Sequence, residues 1–185
     1  MLSTVARTVV PLLGRFTVTA DEAAVLAPGS IVAANHSSLV DPGVVLAAVR
    51  RRGVEALAAA ADALAAGRVV VIYPEGRLPR RTDAADGPPT PFRTGLARLA
   101  ATGAPVVPLG QAGARRISSG STAKQLAGLA TAPLRRPGVH VHFGAPLRLD
   151  GDVAAATDRA HAAVTAAWRT AAARLPGATW TPTAQ

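Results

Sequence analysis

Residues 68–73, Arg-Val-Val-Val-Ile-Tyr, contain an unbroken apolar run that is mostly β-branched. Continuous rather than alternating hydrophobicity is what a strand buried on both faces requires, and such strands belong to parallel sheets covered by helices. A second segment, Gly-Ser-Ile-Val-Ala-Ala-Asn at 29–35, has the same character and follows the turn signal Pro28-Gly29. Two doubly buried strands restrict the chain to layered α/β architectures.

The remaining sequence supplies the layers. Asp41 is a suitable N-cap and Pro42 a suitable first residue for a helix over 41–52. Segment 53–67 is alanine-rich, places Leu57 and Leu64 seven apart and stops at Gly67, so it also reads as a helix. Residues 74–91 form a long loop carrying arginines, acids and prolines; 92–103 reads as a helix and 104–110 as a strand. The Gly-, Ser- and Arg-rich stretch 111–138 suggests one helix around 124–130. Residues 138–149 alternate as a strand does, and 152–175 form a terminal helix. Strands alternating with helices predict an α/β fold: a single layered domain over 1–185, with a mostly parallel sheet flanked by helices. Residues 1–15 are expected as an interfacial segment and 176–185 as a loose tail.

Composition narrows the function classes. Aromatic residues make up only 3% of the chain, so Ala, Val and Leu must build the core. With no cysteine there is neither a disulfide nor a thiolate nucleophile. The formal charge of +9 draws the protein to phosphate-bearing partners such as anionic lipid, nucleic acid or a phosphorylated small molecule. Lys124 is the only lysine among the twenty basic residues, an arginine excess that coding bias explains better than function does. Nucleic-acid binding would call for aromatic stacking platforms, which this chain lacks, so no nucleic-acid partner is expected. No apolar stretch reaches the roughly 18–20 residues of a membrane span. The N-terminal region lacks a small-residue cleavage signal, so no secretory signal is expected.

Two loops follow the buried strands, where parallel sheets place their ligands. In Asn35-His36-Ser37-Ser38-Leu39-Val40-Asp41, His36 is a candidate base that Asp41 could orient. The same residues equally describe a strand ending where a capped helix begins. In Tyr73-Pro74-Glu75-Gly76-Arg77, a tight turn precedes Arg77, Arg80 and Arg81, which could hold a phosphate. A solvated basic loop is the competing reading, and the residues alone leave both pairs of alternatives open.

Taken together, the two loops resemble the N-H-x-S-x-x-D and F-P-E-G-T-R boxes of the glycerophospholipid acyltransferases, the lysophosphatidic acid acyltransferase type. Phe92-Arg93-Thr94-Gly95 with Leu96–Ala100 is similar to that family's F-K-x-G-x-x-x-L-A helix. Ala104-Pro105-Val106-Val107-Pro108-Leu109 is similar to its V-P-V-x-P-V strand, and the matches cover roughly residues 16 to 170.

The resemblance implies that His36 is a general base and Asp41 its partner, with Asn35 and Ser38 supporting the turn. It implies that Glu75, Gly76 and Arg77 bind the acyl acceptor and its phosphate, with Arg80 as the alternative to Arg77. Pro105 and Pro108 would support the acyl-donor side. The implied reaction moves a fatty acyl group from an acyl-CoA or acyl-carrier-protein thioester to the hydroxyl of a lysophospholipid such as 1-acylglycerol-3-phosphate. It needs no cofactor, no metal and no acyl-enzyme. Backbone N–H groups near the His box or Gly76 are the expected oxyanion donors. The implied setting is cytoplasmic, peripheral to the inner face of an anionic membrane.

The two boxes lie unusually close, separated by the 33 residues 42–74. Family members place a further α/β unit there, so the alternative is a catalytically weak phosphate- or anionic-lipid-binding protein of the same fold. His140 and His142 share a strand face without a nearby carboxylate in sequence, and no metal site is expected from them. His161 is expected at the surface, Trp168 in the core and Trp180 in the tail.

Overall fold

The computed structural model describes residues 11–36, 38, 60–76 and 86–175. Five strands, β1 (Arg15–Ala20), β2 (Ile31–Ala34), β3 (Val70–Ile72), β4 (Val106–Ala112) and β5 (Gly138–Phe143), form one sheet in the order β1-β5-β4-β2-β3. The pairs β1–β5, β4–β2 and β2–β3 are parallel, and β4–β5 is antiparallel. The sheet is therefore mostly parallel. Helices α1 (Ala60–Ala65), α2 (Gly95–Ala100), α3 (Thr122–Arg135) and α4 (Val153–Ala173) accompany it, with a short 3-10 turn at Ala114–Arg116.

Alternation along β2 divides the interior. Ile31 and Ala33 join a cluster with Ala60, Leu64, Leu96, Ala156 and Val164 from α1, α2 and α4. Val32 and Ala34 face the other way, toward Leu109, Ile117, Ala132 and Val141. Side chains at successive strand positions point to opposite faces, so each face of the sheet receives its own helical layer. All of β2 is buried, as its unbroken apolar sequence predicts.

Helix α4 begins at Asp152, whose carboxylate accepts from the backbone N–H of Ala154 and Ala155 at 3.0 and 3.2 Å. Its alanine-rich face lies on β4 unusually closely. A Cβ at Gly110 would stand 2.1 Å from backbone atoms of Ala167 and Trp168, so only glycine fits at that strand position. Trp168 is buried against Ala112, Ala171 and Leu175, as expected of a core residue.

Three features differ from the sequence expectation. Strand β1 begins at the end of the segment expected to be interfacial, and it joins the sheet edge through parallel pairing with β5. Helix α3 extends over fourteen residues and accommodates Pro133 in its last turn. Strand β4 continues to Ala112, two residues past the expected end. Pro108 is tolerated inside this central strand because its side of the strand faces β5 where that strand leaves the ladder. There its carbonyl accepts from Gly144 N–H at 2.9 Å, and the ladder resumes only at the Val106–Leu147 bridge. The helix expected over 41–52 and the tail 176–185 lie outside the described residues.

Candidate active site

Parallel register between β2 and β3, with Ala33 opposite Ile72, makes both chains leave the sheet side by side at their C-terminal ends. Asn35 controls the first exit. Its Oδ1 accepts from Gln111 N–H at 2.7 Å and its Nδ2 donates to Gln111 O at 3.0 Å. Gln111 Nε2 in turn donates to Asn35 O at 2.9 Å. This buried amide clasp extends the β2–β4 pairing beyond the strand and fixes where His36 emerges.

Glu75 joins the second exit to the first. Its Oε1 accepts from the backbone N–H of His36 at 2.7 Å. Its Oε2 accepts from Thr90 N–H at 2.7 Å and Thr90 Oγ1 at 2.6 Å. The side chain is buried, with 2% exposure, and a buried carboxylate needs several such donors to offset its lost hydration. The sequence resemblance makes Glu75 an acceptor-binding residue, whereas here both carboxylate oxygens hold protein segments together. His36 is half-buried, its ring 4.5 Å from that of Tyr73 between centroids. Ser38 Oγ donates to Ser118 O at 2.7 Å and ties down the far side of the same loop.

The turn after β3 closes through Gly76 N–H donating to Tyr73 O at 3.1 Å, and Gly76 takes a positive φ of 68°. A strap, residues 89–93, crosses this turn. Arg93 N–H donates to Pro74 O at 2.8 Å, and the Arg93 stem lies so close to Gly76 that a Cβ there would stand 2.7 Å from its Cδ. The other side of the strap rests on α4. His161 Nε2 donates to Pro89 O at 3.2 Å, and Phe92 meets the His161 ring edge-on at 4.9 Å. His161 is thus half-buried and holds the strap, not the surface residue expected. No local pattern marks it, because its partners lie 72 and 69 residues away in sequence, at 89 and 92.

The expected residues do not all meet. Asn35, His36, Ser38, Glu75 and Gly76 gather at the C-terminal ends of β2 and β3. Pro105 stands at the opposite end of the sheet, where its carbonyl accepts from Ile31 N–H at 2.9 Å. Five steps of extended chain lead from Ile31 to His36, a distance of about 16 Å at ~3.3 Å per residue. Pro108 is buried mid-strand opposite Ala33. Asp41, Arg77 and Arg80 lie outside the described residues. Of the backbone N–H groups near the His box and Gly76, those of His36 and Gly76 themselves donate to Glu75 and Tyr73 respectively.

His140 and His142 form a separate polar group on the α4 side of the sheet. Thr19 Oγ1 is hydrogen-bonded to His140 Nε2 at 2.8 Å and to His142 Nδ1 at 3.0 Å, while His142 Nε2 pairs with Asp21 at 3.1 Å. Burial, then the Arg174 charge and then His142, lower the pKa of His140 from its ordinary value. Among the described residues no cluster of three or more His, Cys, Asp or Glu is arranged to hold a metal ion. Likewise, no described helix is long and apolar enough to cross a membrane.

Residues 47–111 match the family model described as Acyltransferase. The fold matches the crystal structure of the 1-acyl-sn-glycerophosphate (LPA) acyltransferase, PlsC, from Thermotoga maritima with a TM-score of 0.68. That match covers 94% of this chain and 78% of the other at 18% identity. No curated protein matches the chain. The family match supports an acyltransferase and the structural match shows a shared fold, beside the two loops whose boxes resemble the glycerophospholipid acyltransferases.

Proposed function

We propose, from these matches and the resemblance of the two loops, that the protein is an O-acyltransferase. It moves a fatty acyl group from an acyl-CoA or acyl-carrier-protein thioester to the free hydroxyl of a lysophospholipid, with 1-acylglycerol-3-phosphate as the acceptor. The observation that carries this reading is the Glu75 carboxylate bonded to the His36 backbone, since it makes one site of the two sequence boxes.

In the proposed reaction, His36 takes the proton of the acceptor hydroxyl, and Asp41 orients the imidazole. The acceptor oxygen attacks the thioester carbonyl. Collapse of the tetrahedral intermediate breaks the C–S bond, and the imidazolium returns its proton to the departing thiolate. Gly76, Arg77 and Arg80 border the acceptor, while Glu75 holds the frame. A charge of +9 favours work at an anionic membrane surface, on its cytoplasmic side, where the lipid substrates reside.

The test is acyl transfer from labelled acyl-CoA to lysophosphatidic acid by the unaltered protein and by His36→Ala. Loss of a general base predicts a fall of about 10²–10⁴-fold in turnover. Equal turnover in both proteins sinks the role of His36. The short 42–74 interval favours the second reading, a phosphate- or anionic-lipid-binding protein without turnover. Absence of transfer by the unaltered protein across several donors and acceptors selects that reading.

A further inference from the structure

Arg93 has a position that its sequence box does not explain. Its backbone is pinned to Pro74, its strap is bonded to Glu75 through Thr90, and its Cδ and the near edge of its guanidinium lie against Gly76. The side chain is nonetheless exposed, and among the described residues no carboxylate pairs with its guanidinium. An arginine with a fixed stem and an uncompensated head is prepared for an anion that arrives from outside.

The location identifies the anion. One carboxylate, Glu75, touches both the His36 backbone and the strap, so the guanidinium stands beside the turn that adjoins the proposed base. Gly76 has two roles here: its positive φ closes the turn, and its missing side chain lets the arginine stem lie against the backbone.

We infer that Arg93 is the specificity-determining cation for the phosphate monoester of the acyl acceptor, selecting phosphorylated lysolipids over neutral monoacylglycerols. The inference rests on the proposed acyl-acceptor reading of this site. The planar fork of arginine engages two phosphate oxygens at once, which a lysine cannot reproduce.

The test measures binding by titration calorimetry, without an acyl donor, to the full chain, Arg93→Gln and Arg93→Lys. The probes are 1-hexanoylglycerol 3-phosphate and 1-hexanoylglycerol, which differ only in the phosphate. The unaltered protein is expected to prefer the phosphate ester by about tenfold or more, the scale of a charge-assisted bidentate contact. Arg93→Gln is expected to lose most of the preference and Arg93→Lys to keep more of it, with affinity for the neutral probe little changed. Three results overturn the inference: no preference in the unaltered protein, an intact preference in Arg93→Gln, or equal weakening toward both probes. Acyl transfer is assayed in parallel on the same proteins. A preference that depends on Arg93 without any transfer overturns the proposed reaction and leaves the phosphate contact standing. Transfer with a preference independent of Arg93 does the reverse.

Discussion

Replacing Glu75 by glutamine keeps the side chain's shape and removes one acceptor. In the native site one oxygen accepts from His36 N–H and the other from Thr90 N–H and Oγ1. An amide satisfies only one side. If its NH₂ faces His36, two donors meet where the native separation is 2.7 Å. If it faces Thr90, the hydroxyl can rotate to accept, but the backbone N–H cannot. Either way one buried backbone N–H loses its partner, at a cost of about 1–3 kcal/mol. The remaining bonds lose their ionic character, which removes about 1 kcal/mol more, while loss of a buried charge offsets part of the sum. A net destabilisation of about 2–3 kcal/mol follows, or a fall in Tm of roughly 4–12 °C for a chain of this size. Thermal melts followed by circular dichroism, with urea titrations alongside, measure it directly. An acceptor-binding Glu75 predicts something else: unchanged stability and impaired turnover alone. A Glu75→Gln protein melting within about 1 °C of the unaltered one would refute the framing role and restore the acceptor-binding one.

Two further outcomes follow from other parts of the fold. Gly110→Ala places a methyl 2.1 Å from the backbone of α4, which cannot yield without lifting the helix. Loss of near-ultraviolet circular dichroism or of soluble protein is expected, and a melt unchanged from the native would contradict that packing. His140 has a pKa lowered by burial, Arg174 and His142, so the unfolded chain takes up its proton first as pH falls. The stability this group contributes is full above its ordinary value of 6.5 and is lost as pH drops from there through the lowered folded value. Urea titrations between pH 7.5 and 5 should show that loss. His140→Gln should flatten the profile, and an unchanged slope would exclude His140 as its source.

The central sheet was legible because its signals are local. Unbroken apolar runs mark β2 and β3, alternation marks β5, and an Asp N-cap opens α4. Strand β1 escaped because its burial comes almost wholly from pairing with β5, more than a hundred residues later. Most of its residues are exposed, so its sequence carries little strand pattern. The boxes single out His36 and Glu75, and the bond between the Glu75 carboxylate and the His36 backbone is not in either pattern. Asn35 finds Gln111 across 76 residues, and Glu75 finds Thr90 within a proline-rich loop that has no period to read. Hydrogen-bond partners of this kind follow from topology, and topology is set by contacts that no short window contains.

The bonds to the His36 loop divide the work of the site. Asn35 and Glu75 act on backbone atoms, and Ser38 anchors the loop at Ser118. These contacts fix the path of the chain through backbone atoms and leave the imidazole out of that frame, as the proposed general-base role requires. The Glu75 oxygens that locate His36 also locate Thr90, and through the strap Arg93, by bonds of 2.6 to 2.7 Å. A proposed base and a proposed phosphate grip are thereby referred to a single carboxylate, not to two independently moving loops. Since a misplacement of about 1 Å can reduce a rate 100-fold, a common reference point would bear on the proposed turnover as well as on folding. On that ground the burial of a charged side chain beside the site is intelligible: its three donors compensate the charge, and together they tie the His36 backbone to the strap that carries Arg93.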